Sequence, residues 1–188
     1  MNSKILFSVT LTILFFNFAS AQNNPKSADE ILNTALEQAK TENKNVIIMF
    51  HASWCGWCKK MDASMTDAKT KDLFDKNYVI AHLVVLESAS KKHLENDGAE
   101  ALLNKYGGEK QGIPYLLIFD GDANLLADSK MVENKFVLKT QGNNIGCPGT
   151  PEEIAAFTYK LKETSNLNED ELAIISERFK LNNPINQQ

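Results

Sequence analysis

The sequence predicts an α/β protein: a mixed central sheet with helices on both faces, plus an extra C-terminal helix. Three observations point there. Short apolar runs at residues 46–50, 78–86 and 116–119 alternate with segments whose apolar residues recur at helical spacing. A turn sequence, Asp120-Gly121-Asp122-Ala123-Asn124, leads from the third run into Leu125-Leu126-Ala127 and suits an antiparallel hairpin. The resulting order is helix, strand, helix, strand, helix, strand, strand, helix. Parallel βαβ units come first and the hairpin closes the sheet.

The first 21 residues stand apart. Lys4 is a short basic region, residues 5–16 are apolar, and Ala19-Ser20-Ala21 is a small-x-small cleavage site. This pattern predicts a cleaved signal peptide over 1–21 and an exported chain beginning at Gln22. The run is too short to cross a bilayer without its polar flank, which argues against a membrane anchor. One domain then spans 22–165, and 166–188 form a helical extension.

Ser27 and Glu30 make a capping box for a helix from 28 to about 41, with Ile31, Leu32, Ala35, Leu36 and Ala39 on its apolar face. Residues 46–50 are a buried strand. A helix starting near Cys55 or Gly56 runs to about 63, and Thr66-Asp67 suggests a new cap for a short helix to 74 or 75. Residues 78–86 read as a central parallel strand. Residues 88–96 are an exposed loop or frayed helix. Asp97 and Glu100 suggest another capping box, and Gly107-Gly108 stops the helix that follows. Residues 129–139 are a helix or an excursion. Thr150, Pro151 and Glu153 form a strong helix start. Asn168 to Glu171 begin the last helix, which is expected to pack on the domain of a monomer, with a dimer contact as the alternative.

The chain has 188 residues, 43% apolar and 23% charged, which suits one domain with a core and excludes wholesale disorder. Loss of Lys4 takes the formal net charge from −4 to −5, and Arg178 is the single arginine. No basic patch exists to neutralise phosphates, so nucleic acid is not an expected partner. Three cysteines are too few and too closely grouped for a disulfide-stapled scaffold. In an exported chain, Cys55-Gly56-Trp57-Cys58 therefore reads as a redox pair. Cys55 would lie at a helix N-terminus, where unpaired N–H groups and the helix dipole favour a thiolate. Cys58, one turn on, can attack a mixed disulfide formed on Cys55.

Rival readings are weaker. A structural zinc site needs four ligands, and His51, His82, His93 and Cys147 are scattered along the chain. Haem attachment needs a histidine after the second cysteine, where Lys59 stands. No metal and no cofactor are expected. Beside an exposed thiol, Trp57 reads as an apolar platform for substrate, whereas Trp54 reads as structural. His51 is a surface or packing histidine that could couple to the thiolate. Lys59 and Lys60 are solvated or stabilise that thiolate. Cys147 is a free, partly buried thiol, a third redox thiol, or half of an intermolecular bridge.

Trp54-Cys55-Gly56-Trp57-Cys58-Lys59 after a buried strand, with Ile113-Pro114 before a later one, resembles the thioredoxin superfamily. The longer stretch His51 to Met61 is most similar to its exported branch. The resemblance runs from about 28 to about 163 and implies a thioredoxin fold. It implies that Cys55 attacks, that Cys58 resolves, and that Pro114 is a cis-proline. It further implies that the backbone of Ile113 pairs with the substrate chain like an added strand.

Three departures stand out. Trp57 replaces the family proline beside the resolving cysteine. Met49 replaces a buried aspartate six residues before Cys55, so water, Lys59 or a substrate group must take the proton of Cys58. Cys147, in Gly146-Cys147-Pro148-Gly149, lies in a loop that borders the active-site groove in related folds. The function implied is an exported, periplasmic thiol–disulfide oxidoreductase acting on protein thiols and disulfides. Ile113 favours the reductase direction, with a membrane partner supplying electrons. The alternatives are an oxidase or isomerase, or a non-catalytic binding or chaperone module. Cys55 and Cys58 are the catalytic candidates and Trp57, Ile113 and Pro114 the substrate-binding ones. Trp54, His51, Lys59 and Cys147 are candidate modulators.

Overall fold

Four strands form the main sheet in the order β2-β1-β3-β4. The computed structural model describes residues 24–183; the signal-peptide segment lies outside the described residues. β1 (Asn45–His51) is parallel to β2 (Tyr78–Val84) and antiparallel to β3 (Tyr115–Phe119), which pairs antiparallel with β4 (Leu125–Asp128). The mixed sheet with its closing hairpin is the predicted architecture.

Alternation along the strands divides the core in two. Val46, Ile48 and Phe50 of β1 face one side with Leu117 and Phe119 of β3. Ala35 and Ala39 of α1 (Ala28–Glu42) and Leu103 of α4 (Ala99–Lys105) cover them. Ile47 and Met49 face the other side with Leu116 and Ile118. That side is covered by α2 (Gly56–Met65), α3 (Lys71–Asn77), α5 (Pro151–Glu163) and α6 (Glu169–Lys180), through Met61, Phe74, Phe157 and Phe179 among others. Both faces of β1 are therefore dry, and the five residues from Val46 to Phe50 are fully buried. Each such side chain contributes roughly 1.5–3 kcal/mol of transfer free energy.

The caps over Ser27, Thr150 and Asn168 form as expected. In each, the side chain accepts the N3 backbone N–H and the N3 glutamate returns to the cap. Three expectations need correction. β2 is an edge strand and β1 is central. An apolar run reports that helices cover both faces of a strand, and says nothing about a neighbour on its second edge. The helix expected from Thr66-Asp67 begins at Lys71. Asp67 instead accepts the Lys69 N–H within a turn and holds Arg178 of α6 at 2.8 Å. The cap of α4 is Gly98, with φ of 79°, and not Asp97. A left-handed backbone there suits glycine best, and the Asp97 carbonyl accepts the Ala28 N–H instead.

Residues 129–144 form an excursion closed by β5 (Lys130–Met131) and β6 (Asn143–Asn144). Its base is polar and buried. Asp128 accepts the N–H groups of Lys130 and Thr140, and the Lys160 ammonium donates to the Val137 and Leu138 carbonyls. Burial lowers the pKa of Lys160 to about 8.

Candidate active site

β1 ends at His51, and the chain turns sharply before α2, with the Cys55 N–H bonded to the Ala52 carbonyl at 3.0 Å. The segment after β2 clamps this turn. Glu87 accepts both the backbone N–H and the hydroxyl of Ser53, and the Trp54 indole N–H donates to the Leu86 carbonyl at 2.9 Å. The Ser53 N–H is the main reason that Glu87 stays below the usual carboxylate range. Cys55 is then the N-cap of α2, and its Sγ accepts the Cys58 backbone N–H at 3.1 Å. A helix cap that is a sulfur places the reactive atom among the first unpaired N–H groups, where negative charge is favoured. Cys55 and Cys58 are joined in a disulfide, and Cys147 is free.

On the opposite wall, the Ile113–Pro114 peptide bond is cis, and the Ile113 carbonyl oxygen lies 3.6 Å from Cys55 Sγ. Asn144 holds this loop. Its Nδ2 donates to the carbonyls of Gln111 (3.3 Å), Gly112 (3.3 Å) and Pro114 (3.0 Å). Trp57, Ile113, Pro114, Ile145, Cys147 and Glu153 contribute to a cleft of about 330 Å³ beside the disulfide.

A family model described as thioredoxin-like matches residues 28–121, half of the chain. The chain belongs to the thioredoxin-like family. No curated protein sequence matches. Among solved structures, a disulphide isomerase from Xylella fastidiosa Temecula1 is 22% identical with a TM-score of 0.44, over 63% of this chain and 80% of that one. The oxidoreductase DsbH is 19% identical with a TM-score of 0.41, over 89% of this chain and 96% of its own. The C-terminal domain of Neisseria meningitidis DsbD in the oxidised form is 18% identical with a TM-score of 0.39, over 62% and 89%.

Within this thioredoxin-like site, the structure gathers Cys55, Cys58, Trp57, Ile113, Pro114 and Cys147 and leaves others aside. Lys59 is exposed on the outer face of α2. Trp54 is 58% exposed, so it is no packing residue; its indole N–H instead ties the turn to Leu86. Trp57 is 44% exposed, with the Lys60 ammonium 4.5 Å from its ring centre. The expected exposed thiol needs correction, since Cys55 and Cys58 are each 2% exposed. The capping geometry turns the Cys55 sulfur inward, toward the Cys58 N–H and Ile113. Cys147 is buried, and burial raises its pKa to about 12. The Asn182 amide just after α6 donates to Cys147 Sγ at 3.3 Å and to the Pro148 carbonyl at 3.2 Å.

Sequence reasoning passed over a polar cluster on the β2 side of α2. His82 Nε2 is 2.7 Å from Asp62 Oδ1, and the His51 ring meets the His82 ring edge-on at 5.4 Å. His51 is half-buried; burial first, and then the charge of His82, hold its pKa below the usual histidine value. His82 carried a signal, since it is the one titratable side chain of the run from Val79 to Leu86. Asn144 carried none.

Proposed function

We propose that this protein is an exported thiol–disulfide oxidoreductase that exchanges disulfides with protein substrates, with the reductase direction favoured. Cys55 attacks the substrate disulfide, or is attacked in the oxidising direction, and Cys58 resolves the mixed disulfide. Two electrons pass from the cysteine pair to the substrate when it is reduced. The observation that carries this reading is the Cys55 sulfur capping α2, 3.1 Å from the Cys58 N–H and 3.6 Å from the Ile113 carbonyl. A thiolate formed there inherits that hydrogen bond. Trp57, Ile113 and Pro114 bind the substrate, whose backbone lies along Ile113 as an added strand. The leader 1–21 takes the domain 22–165 and its extension 166–188 to an oxidising compartment, the periplasm of a bacterium. Reduction there requires an electron donor in the membrane.

Reduction of insulin by dithiothreitol, followed by turbidity, tests the activity. Catalysis is expected, and it is lost in Cys55→Ser. A Cys58→Ser variant is expected to accumulate clients as Cys55-linked mixed disulfides. Absence of both catalysis and trapped clients refutes the proposal and favours a binding module.

A further inference from the structure

Resolution leaves one proton unassigned. Cys58 must lose its proton to attack Cys55, and Cys58 is almost wholly buried. Met49, the β1 residue beneath the site, is an apolar side chain that accepts nothing. The register, however, pairs Met49 with His82 on β2. Paired residues of parallel strands point to the same face, so His82 lies under α2 on the same side as Met49. Asp62 is four residues after Cys58 in α2, a spacing that puts the two Cβ atoms about 5–6 Å apart on adjacent turns. His82 meets Asp62 Oδ1 at 2.7 Å, which leaves Oδ2 to receive a proton. Both side chains are more than one-third exposed, so the carboxylate one turn from the buried sulfur is open to solvent.

From this geometry we infer that Asp62, backed by His82, is the proton acceptor for Cys58 when the mixed disulfide is resolved. The inference rests on the exchange reading above. In the step, the Cys58 thiol gives its proton to Asp62 directly or across one water. The thiolate attacks Cys55 Sγ, the Cys55–Cys58 bond forms, and the Cys55–substrate sulfur bond breaks. The substrate leaves as a thiolate carrying the electron pair. Asp62, itself more than one-third exposed, then gives the proton to solvent while His82 holds its other oxygen. Three titratable groups meet here: Asp62 from α2, His82 from β2 and His51 from β1, with Glu87 acting on His51 from the loop after β2. The depressed pKa of His51 keeps that ring neutral at pH 7, so it does not load the pair with charge.

A buried thiol is almost wholly protonated at pH 7, so a positioned acceptor is expected to speed its attack by at least about 10-fold. The test is stopped-flow reaction of the reduced protein with 5,5′-dithiobis(2-nitrobenzoate), in a Cys147→Ala background so that two thiols report. The first thionitrobenzoate is released by attack of Cys55 and the second by resolution through Cys58. Asp62→Asn is expected to leave the first phase unchanged and slow the second at least about 10-fold at pH 7, with the difference shrinking as the pH rises. His82→Gln, which keeps a neutral donor for Asp62 Oδ1, is expected to slow the second phase by a smaller factor. A second phase within twofold of the parent in both variants overturns the inference. So does a slowing that is the same at pH 7 and pH 9.5, which marks a structural effect. A second release that persists in Cys58→Ser overturns the exchange reading itself, and the relay with it.

Discussion

Replacing Phe179 by alanine tests whether the C-terminal helix is an appendage or part of the core. The ring is fully buried, on the sheet face that also carries Cys55 and Cys58, and its centre is 5.1 Å from that of Phe157 on α5. Fully burying a phenylalanine side chain takes its apolar area out of water and is worth roughly 1.5–3 kcal/mol of transfer free energy, to which the cavity left by truncation adds. Alanine keeps a small part of that area, and the remaining void is only partly refilled. The expected loss is therefore about 3–5 kcal/mol. For a domain of this size each kcal/mol moves Tm by about 2–4 °C, so the melting temperature should fall by roughly 6–20 °C. Urea and thermal unfolding followed by circular dichroism measure both quantities. Exposed Ile174 on the same helix is the control, where alanine should change stability by less than about 0.5 kcal/mol. A loss below about 1 kcal/mol for Phe179→Ala refutes the reasoning and leaves α6 as a detachable extension.

Two further outcomes follow from the site. Asn144→Ala removes the amide donor shared by the Gln111, Gly112 and Pro114 carbonyls and the acceptor of the Ser129 hydroxyl and Gly146 N–H, a loss of about 1–3 kcal/mol. Its KM for a protein disulfide should rise several-fold while its reaction with a small aromatic disulfide is unchanged; equal values for both substrates would contradict the role given to that loop. His51 binds a proton less readily folded than unfolded, because burial and His82 lower its pKa. Its contribution to stability is thus complete above the ordinary value near 6.5 and is lost as the pH falls through the lower folded value. Tm should decline across that window, and His51→Gln should flatten the decline; an unchanged slope in the variant counts against this account.

Local chemistry was legible in the sequence because its causes are local. Ser27 and Glu30, Thr150 and Glu153, and Asn168 and Glu171 cap helices through contacts three residues apart. Cys55 and Cys58 meet because one helical turn brings them together, and Ile113-Pro114 is a dipeptide signal. The placement of β2 was not legible, because helices on both faces demand the same apolar run at an edge as at the centre. Capping by Asp97 failed because the left-handed backbone at Gly98 overrides a side-chain pattern.

The sequence by itself therefore determined the mixed α/β fold, the reactive pair and the loop that faces it. Each depends on residues adjacent in the chain or on periodicity within one element. Only the tertiary structure decided what surrounds the pair. Strand register put His82 beside Met49 and in reach of Asp62, from positions 20 residues apart. The end of α6 brought Asn182 to Cys147 across 35 residues, and Asn144 reached back 30 residues to Pro114. Cys55 itself, read as exposed, is covered, since a sulfur that caps its own helix must turn toward the N–H it accepts. Contacts of that range are selected by how helices pack on a sheet, and no short stretch of sequence encodes them.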